Sequence, residues 1–325
     1  MDEAASTVDA LRRWLDAPGE PEPWVVETSG STGRPKRVAL SRRAVLASVT
    51  ASARRLGAGG RWVLALPPTY VAGLQVLARS LVAGHEPVLD ATWPREGTWF
   101  ISLVPTQLHR ALEDPDRLTA LRTAHTILLG GGPIDPALRR RAADEGLRVV
   151  ATYGAAETAG GCVYDGMPLD GVAVALGEGG RIRIGGPTLF DGYVGDPRLT
   201  AEALVDGWYL TQDAGRLDED GRLQVLGRLD DMLVSGGVNV PAAAVAARLR
   251  EHPDVSAAEV LGVPDEEWGT RVVAFVTGRL SLDDARDFVA ERHPRSWAPR
   301  QLVALDALPL LANGKADRVA LRGLA

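Results

Sequence analysis

Two lysines stand out among the 36 basic residues of this 325-residue chain, because every other basic residue is an arginine. They are Lys36, which ends a run rich in Gly, Ser and Thr, and Lys315, which ends the tripeptide Asn-Gly-Lys. An ammonium is a compact charge with rotatable donors, whereas a guanidinium is a flat fork, so they are not interchangeable where a single oxygen must be contacted. We therefore interpret both lysines as catalytic candidates that contact phosphate or carboxylate oxygens.

The run that leads to the first lysine, Thr-Ser-Gly-Ser-Thr-Gly-Arg-Pro-Lys at residues 28–36, has the composition of an anion-binding loop. Glycines free the backbone for tight turns, hydroxyls donate hydrogen bonds to phosphate oxygens, and the lysine adds charge. The spacing is not that of a Walker A loop, since Pro35 precedes the lysine and Arg37 follows it, so a P-loop kinase is disfavoured. The candidate nucleotide-binding residues here are Thr28, Ser29, Gly30, Ser31, Thr32, Gly33 and Lys36.

The rest of the sequence supplies the elements that must position these residues. Between residues 24 and 152, short apolar runs alternate with amphipathic stretches, among them a helix that Ser41 begins and Gly57 ends. Such alternation predicts an α/β fold whose large domain is a doubly wound, mainly parallel sheet. The expected strands are residues 24–27, 61–66, 86–89, 98–104, 126–129 and 148–152.

Two regions with other sequence patterns follow the alternating region. A Gly-rich β subdomain is expected between residues 160 and 228, where Asp191-Gly192 and Asp220-Gly221 are typical turns of antiparallel hairpins. The pattern after residue 230 then predicts a small α+β domain with a helix, two strands and a further helix. We therefore predict an N-terminal nucleotide- and acid-binding domain and a mobile C-terminal lid domain, at residues 1–229 and 230–325.

Composition disfavours several classes of protein. The net charge of −6 leaves no basic footprint, so no nucleic-acid partner is expected. The single cysteine, Cys162, excludes an internal disulfide and is typical of a buried residue in a reducing compartment. No apolar run approaches the ~20 residues that a membrane span needs, and the N-terminus lacks the apolar region of a signal peptide. We therefore expect a cytoplasmic protein without a membrane partner.

Further motifs follow in an order that resembles the adenylate-forming superfamily, which comprises acyl-CoA synthetases, luciferases and peptide-synthetase adenylation domains. The loop at residues 28–36 resembles the phosphate loop of that family, and Tyr-Gly-Ala-Ala-Glu-Thr at residues 153–158 resembles its Tyr-Gly-x-Thr-Glu motif. The other matching segments are Gly131-Gly132-Pro133, the segment around Asp213, the segment from Gly227 to Gly237, and Asn313-Gly314-Lys315. Together the motifs span nearly the whole chain.

The resemblance implies an AMP-forming ligase that joins a carboxylate to the α-phosphate of ATP and then passes the acyl group to coenzyme A. Repulsion between two anions opposes the first step, so positioning and charge neutralisation carry the catalysis. By resemblance, Lys36 holds the β- and γ-phosphates, Glu157 ligates Mg²⁺, and Lys315 bridges the attacking carboxylate and the α-phosphate. The other implied nucleotide-binding residues are Gly131, Gly132, Pro133, Tyr153, Gly154, Asp213 and Arg228.

The two lysines lie far apart in the chain, so the C-terminal domain has to close over the larger one if both act on one ATP. Members of this family alternate between two closed arrangements, and the resemblance makes Asp230 the hinge. In the second arrangement, Gly236 and Gly237 would let the coenzyme A arm pass close to the backbone.

A second resemblance concerns the small-molecule carboxylic acid. Ser-Leu-Val-Pro-Thr-Gln-Leu-His-Arg at residues 102–110 resembles o-succinylbenzoate–CoA synthetases, the menaquinone-pathway branch of the family. Such an acid carries two carboxylates and a ketone, so its pocket needs a cation or several donors beyond the reacting centre. The candidate pocket residues are Tyr70, Ser102, Thr106 and His109, with Arg79, His85 and Arg110 as further cations of kinds that are mostly found on surfaces.

Some features depart from the family pattern. Only 27 residues precede the loop, fewer than in typical members, so we expect a reduced sheet whose edge a second subunit could cover in a homo-oligomer. Ala156 and Gln212 stand where threonine and glycine are usual, and Tyr70 stands where many members have histidine. Two alternatives therefore stay open. One is a ligase for another aryl or acyl acid, or an adenylation enzyme that charges a carrier protein; the other is a non-catalytic nucleotide-binding protein.

Overall fold

The structure, a computed structural model, describes residues 2–28, 36–89, 92–309 and 316–325, with only the backbone described for Asp2 and Asp230. These residues divide into two compact units. The first comprises residues 1–175, 183–211 and 217–223, and the second comprises residues 176–182, 212–216 and 224–325. The domain boundary predicted at residue 230 stays a prediction.

The first part of the chain alternates strands and helices as the sequence predicts. Its helices are α1 (Asp2–Asp16), α2 (Arg42–Leu56), α3 (Val71–Val82), α4 (Pro105–Glu113), α5 (Pro115–Leu121) and α6 (Pro136–Asp144). Its strands are β1 (Trp24–Thr28), β2 (Lys36–Leu40), β3 (Arg61–Val63), β4 (Trp99–Leu103), β5 (Thr126–Leu129), β6 (Val149–Ala155), β7 (Gly160–Tyr164) and β8 (Met167–Pro168).

Strands β3 to β8 form one sheet in chain order, parallel from β3 to β6 and antiparallel from β6 to β8. Every residue of β4 and β5 is buried, as expected for parallel strands that are covered on both faces. The change of direction follows from the connection, because only a short 3₁₀ turn, Ala156–Thr158, separates β6 from β7. The prediction of an α/β fold with a mainly parallel sheet is confirmed.

Helix α2 shows how local sequence fixes the boundaries of an element. Ser41 accepts a hydrogen bond from the backbone N–H of Ala44, and Gly57 ends the helix in the left-handed conformation at φ 72°. Both ends are the ones that the sequence predicts. The alternation is also correct for β4 to β6: β5 has the predicted bounds, and those of β4 and β6 differ from the predicted ones by one to three residues.

Two local predictions are wrong. Residues 86–89 do not form a strand but a single bridge between Val88 and Val63, and Pro87 lacks the N–H that a ladder would use. Asp191-Gly192 is not a hairpin turn, because Gly192 lies in a strand opposite Ala39 of β2. A Cβ on Gly192 would come within 2.9 Å of the Thr200 side chain, so glycine is required there by close packing.

The middle of the chain is rich in short strands, as predicted. They are β9 (Ala173–Leu176), β10 (Arg181–Gly185), β11 (Gly192–Tyr193), β12 (Leu204–Val205), β13 (Trp208–Leu217) and β14 (Leu223–Arg228), with helix α7 (Pro197–Ala203) before β12. Strand β11 extends the β1–β2 hairpin, while the order β12-β13-β10-β9 with β14 beside β13 defines a second sheet. Asp220-Gly221 lies in the connection between the paired strands β13 and β14, with Gly221 at φ 74°.

The C-terminal part of the chain builds a small α+β fold. Its elements are β15 (Met232–Ser235), β16 (Val238–Pro241), α8 (Ala242–Arg250), β17 (Val255–Asp265), β18 (Gly269–Gly278), α9 (Leu282–Ala290), β19 (Gln301–Leu305) and α10 (Arg318–Arg322). Strand β18 is antiparallel to β17 and parallel to β19. Apolar residues of α8 and α9 pack with this sheet around Val245, Leu249 and Val272, each fully buried. Among the described residues, no helix is long and apolar enough to cross a membrane.

Cys162 lies on β7 and is fully buried, and burial raises the pKa of its thiol to about 11. Because the thiolate is the reactive form, we expect thiol reagents to leave the native protein unmodified at mildly alkaline pH and to label one site after unfolding. Mass spectrometry before and after denaturation measures this. Labelling of the native protein as fast as that of an unstructured cysteine peptide would contradict the burial.

Candidate active site

A cavity of about 330 Å³ opens at the carboxyl ends of the parallel strands. It is lined by residues that end or follow β3 to β6, where ligands of open α/β sheets bind, and by helix α3. The strand-end residues are Leu66, Pro67, Leu103, Val104, Gly130, Gly131, Gly154 and Ala155. Predicted residues Gly131 and Gly154 therefore lie at one cavity, together with Tyr70 and Ser102.

On the side of the cavity nearest α3, glycines of β6 and β7 bring backbone atoms into close contact. Gly160 adopts φ 95°, a region that favours glycine, and a Cβ there would lie 3.1 Å from Cγ of Gln75. A Cβ on Gly154 would lie 2.2 Å from the carbonyl oxygen of Gly160. The glycines in this part of the chain thus let β6 and β7 approach each other and α3 without side chains between them.

Helix α3 carries two polar side chains into an otherwise apolar environment. Gln75 is 1% exposed and Arg79 is 6% exposed, although side chains of both types are mostly found on surfaces. Both polar atoms of the Gln75 amide and Nε of Arg79 have no hydrogen-bond partner within the described part of the chain. A buried polar group left in this state costs about 1–3 kcal/mol, so these atoms are candidates for contact with a ligand.

Arg79 is nevertheless held firmly on its other sides. Its guanidinium lies 4.9 Å from the ring centroid of Trp62, and Nη2 donates a 3.3 Å hydrogen bond to the hydroxyl of Tyr164. That hydroxyl shares a 2.8 Å hydrogen bond with Ser52. Arg79 borders both the main cavity and a smaller one of about 240 Å³ beneath α2. No carboxylate lies within ion-pair distance of Arg79 among the described residues, so its charge is uncompensated by the protein there.

The other residues predicted for the acid pocket do not line this cavity. Thr106 and His109 line a different depression on α4, and His109 Nε2 lies 3.3 Å from a carboxylate oxygen of Glu113. His85 and Arg110 are exposed. Of the cations considered from the sequence, Arg79 is therefore the one that lines the main cavity, and the interpretation of Arg79 as a surface charge is wrong.

Part of the motif at residues 102–110 lines the cavity, and part of it stabilises the local structure. Ser102, Leu103 and Val104 line the cavity, whereas Gln107 ties the strand ends together. Its Oε1 accepts a hydrogen bond from the backbone N–H of Val104 at 3.0 Å, and its Nε2 donates to the carbonyl oxygen of Ala65 at 2.7 Å. The first half of the motif shapes the cavity, and the second half fixes how α4 leaves the sheet.

A second group of predicted residues meets at the β1–β2 hairpin. Thr28 pairs with Lys36 at the loop end of this hairpin, so the two ends of the Gly/Ser/Thr loop lie side by side. Ser29, Gly30, Ser31, Thr32 and Gly33 lie outside the described residues. Nζ of Lys36 lies 5.2 Å from the ring centroid of Tyr193, whose hydroxyl donates a 2.7 Å hydrogen bond to Oε1 of Glu157. The fold thus connects Lys36 and Glu157 through one tyrosine.

Glu157 is 6% exposed and lies in the 3₁₀ turn between β6 and β7. The pKa of Tyr193 is raised by burial and by the negative charge of Glu157, so its hydroxyl stays a hydrogen-bond donor. The described residues include no cluster of three or more potential metal ligands. Mg²⁺ is usually bound by one or two protein carboxylates together with substrate phosphates and water, so the Glu157 carboxylate fits the predicted role.

The remaining predicted residues are dispersed. Tyr153 is half-buried on β6, and Gly132 and Pro133 are exposed beyond β5. In the second unit, Nη1 of Arg228 lies 3.8 Å from Oδ1 of Asp213. Asp230 lies in a 3₁₀ turn, Leu229–Asp231, and Lys315 lies outside the described residues.

Gly236 and Gly237 form the two-residue turn between β15 and β16, at φ 56° and 77°. Positive φ at both positions is typical of a tight hairpin turn. A Cβ on Gly236 would lie 2.7 Å from the Trp268 ring, so local structure already requires this glycine. Their predicted position beside coenzyme A stays a prediction.

Sequence reasoning missed Gln75, Tyr164 and Tyr193. A signal for the first was available, because Gln75 and Arg79 are spaced i, i+4 on a helix whose other residues are almost all apolar or small. Polar residues at that spacing share one face, and on a helix buried on all sides such a face indicates a site. No comparable local signal marks the two tyrosines, since their partners lie 36 or more positions away.

Comparison with known proteins adds to this geometry. Residues 25–194 match the family described as AMP-binding enzyme, and residues 244–315 match the AMP-binding enzyme C-terminal domain. A Mycobacterium tuberculosis relative named "Probable 2-succinylbenzoate–CoA ligase" is 43% identical over 318 residues, which cover 91% of this chain and 83% of the relative. The 2-succinylbenzoate–CoA ligase of Geobacillus kaustophilus is 35% identical, with 92% and 69% covered.

A solved structure with the same architecture is the Bacillus subtilis o-succinylbenzoate CoA synthetase in complex with its acyl-adenylate intermediate. The two structures agree with a TM-score of 0.74 and 30% sequence identity, over 92% of this chain and 68% of the other. The similarity extends across both parts of the chain, the sheet with its cavity and the smaller α+β fold.

Proposed function

We propose, from the premise that this chain belongs to the AMP-binding enzyme family and is an AMP-forming acid–CoA ligase, that the acid it activates is 2-succinylbenzoate. ATP and coenzyme A are then its co-substrates. The relatives that are named for this acid support the proposal, and so does the lining of the cavity.

The observation that carries the proposal is Arg79, a buried guanidinium at the cavity without a carboxylate partner in the described residues. An uncompensated buried charge is costly, and an anionic ligand would relieve that cost. An acid with two carboxylates provides such an anion after one of them has reacted. A simple fatty or aryl acid, in contrast, would leave the guanidinium unpaired.

The first half-reaction is the one that the assigned phosphate-binding residues would support. A carboxylate oxygen of the acid attacks the α-phosphorus of ATP, the bond to the β-phosphate oxygen breaks, and pyrophosphate leaves. Lys36 and the hydroxyls of its loop would hold the β- and γ-phosphates, and Lys315 would bridge the attacking carboxylate and the α-phosphate. These contacts reduce the repulsion between two anions, which is the obstacle to this step.

Glu157 is the residue that we assign to Mg²⁺, held in place by the hydroxyl of Tyr193. The metal supplies charge neutralisation at the phosphate oxygens when it is bound. In this proposal the polyphosphate binds beside Lys36 and Glu157, which both contact Tyr193. On the nucleoside side we assign Gly131, Gly132, Pro133, Tyr153 and Gly154 to the adenine, and Asp213 with Arg228 to the ribose.

In the second half-reaction the thiol of coenzyme A gives up its proton to solvent and its sulfur attacks the acyl carbonyl carbon. A thioester forms, the bond from the acyl carbon to the phosphate oxygen breaks, and AMP leaves with its electron pair. We assign Asp230 as the hinge between the two arrangements of the C-terminal domain, and Gly236 and Gly237 as the segment beside the thiol arm.

A pyrophosphate-release assay with and without coenzyme A tests the function. We expect release with 2-succinylbenzoate, and formation of its thioester only when coenzyme A is present. The panel includes aryl acids, fatty acids and other aromatic dicarboxylates. Turnover of a fatty acid or a simple aryl acid in preference to 2-succinylbenzoate would show that the proposed acid is wrong. ATP binding without turnover of any carboxylate would show that the chain is a nucleotide-binding protein and not a ligase.

In the same assay we expect Arg79→Met to lower kcat/KM for 2-succinylbenzoate by roughly 10- to 100-fold, because a hydrogen bond to a charged group is lost. Arg79→Lys keeps the charge and should lose less. The matched control substrate is 4-oxo-4-phenylbutanoate, which lacks the ring carboxylate and should respond little to either variant. An equal loss on both acids would show that Arg79 acts on the fold and not on the second carboxylate.

A further inference from the structure

Gln75 is a buried amide that the fold itself leaves unsatisfied. It lies in the middle of α3 at 1% exposure, and neither Nε2 nor Oε1 has a partner in the described part of the structure. A neighbouring polar residue of the same helix behaves differently, because Ser80 Oγ accepts a 3.2 Å hydrogen bond from the backbone N–H of Trp62. Gln75 is therefore the long polar side chain of this helix that makes no hydrogen bond at any of its polar atoms in the described part of the structure.

Gln75 packs closely against the backbone at Gly160. Its Cγ lies against Gly160, where even a Cβ would approach it to 3.1 Å. The side chain lines the 330 Å³ cavity and borders none of the other described depressions. Gln75 therefore contributes its unpaired amide to the wall of the cavity in which an acid would lie.

The chemistry of the amide determines what it recognises. Nε2 is a neutral donor and suits a neutral acceptor such as a carbonyl oxygen, whereas a buried carboxylate needs a charged partner. Arg79, one helical turn further along the same face, provides that charged partner. The two side chains thus offer one neutral and one charged donor, side by side on one helix.

We propose that Gln75 is a specificity-determining residue that donates a hydrogen bond from Nε2 to the ketone oxygen of the acid. This inference rests on the proposed function, because it takes 2-succinylbenzoate as the acid.

The proposal predicts opposite effects on stability and on specificity. Gln75→Met keeps a similar side-chain volume and removes two unsatisfied polar atoms, so the melting temperature of the ligand-free protein should stay the same or rise. The same substitution removes the donor, so the variant should no longer distinguish a ketone from a methylene group. A purely structural role for Gln75 predicts the reverse, with lower stability and unchanged specificity.

The experiment compares two acids on two proteins by pyrophosphate release. The acids are 2-succinylbenzoate and 2-(3-carboxypropyl)benzoate, which replaces the ketone by a methylene group and keeps both carboxylates. We expect wild type to prefer the ketone by roughly tenfold in kcat/KM and Gln75→Met to show a ratio close to one. Gln75→Leu, a second apolar variant, should reproduce the loss if Gln75→Met does not fold.

The outcomes separate this inference from the function on which it rests. No release by wild type with 2-succinylbenzoate would end the proposed function. Release with an equal ratio in wild type and variant, or no ketone preference in wild type, would overturn the role of Gln75 and leave the function intact. A lower melting temperature with an unchanged ratio would also overturn it.

Discussion

Replacement of Lys315 by alanine is expected to lower acid-dependent pyrophosphate release by roughly 10²–10³-fold, the usual cost of removing one donor that stabilises a developing charge. The reason is that this ammonium would contact the attacking carboxylate and the α-phosphate together, where two anions must meet. Lys315 lies outside the described residues, so the prediction rests on the Asn-Gly-Lys motif and on the scarcity of lysine in this chain. Pyrophosphate release under saturating substrates measures it.

Two controls make the Lys315 experiment specific. ATP binding, measured by calorimetry, should be nearly unchanged, because Lys36 and its loop are intact. Lys315→Arg should remain defective although the charge is kept, since a guanidinium fork does not reproduce a compact ammonium at a single oxygen. Wild-type pyrophosphate release by Lys315→Ala would exclude the residue from the first half-reaction.

The second large effect is expected at Glu157. Glu157→Gln keeps the shape and the acceptor for the Tyr193 hydroxyl but removes the negative charge. We expect the Mg²⁺ concentration for half-maximal pyrophosphate release to rise by at least about tenfold, because Mg²⁺ binds carboxylate oxygen far better than amide oxygen. A direct titration of Mg²⁺ in the presence of ATP, followed by calorimetry, provides a readout that does not depend on turnover.

Tyr193→Phe is the matched control for the carboxylate. It retains the charge of Glu157 and removes only the donor that holds it, so the Mg²⁺ requirement should shift by less than in Glu157→Gln. Binding of ATP without metal should be similar in both variants. An unchanged Mg²⁺ titration in Glu157→Gln would show that this glutamate is a structural partner of Tyr193 and not a ligand.

Much of the fold follows from local sequence. Ser41 and Gly57 fix the two ends of α2 through side-chain and left-handed caps, and the buried apolar runs of β4 and β5 identify the parallel core. The failures are also local in origin. Residues 86–89 have strand-like composition, but a proline among them interrupts the ladder, and Gly192 resembles a turn residue while its real constraint is the Thr200 side chain.

The acid pocket shows the limit of reasoning from residue type. Thr106 and His109 belong to a motif that resembles an acid-specific branch, yet α4 carries them to a different depression. Arg79 belongs to a class that is usually exposed, yet the middle of α3, residues 73–80, is buried on all sides. A residue type indicates only how often such side chains are exposed in proteins. The packing of α3 between the sheet and α2 decides that this arginine is buried.

The sequence by itself determined the class of chemistry, because the Gly/Ser/Thr loop, the two lysines and the ordered motifs are contiguous patterns whose chemistry depends on residue type and spacing. The tertiary structure alone decided which side chains share a cavity. Tyr193 reaches Glu157 across 36 positions, and Gln75 and Arg79 become unsatisfied donors only when β6, β7 and α2 enclose them. Such contacts arise from the burial of apolar surface by elements distant in sequence, so a local pattern can mark a residue such as Gln75 but does not identify its neighbours.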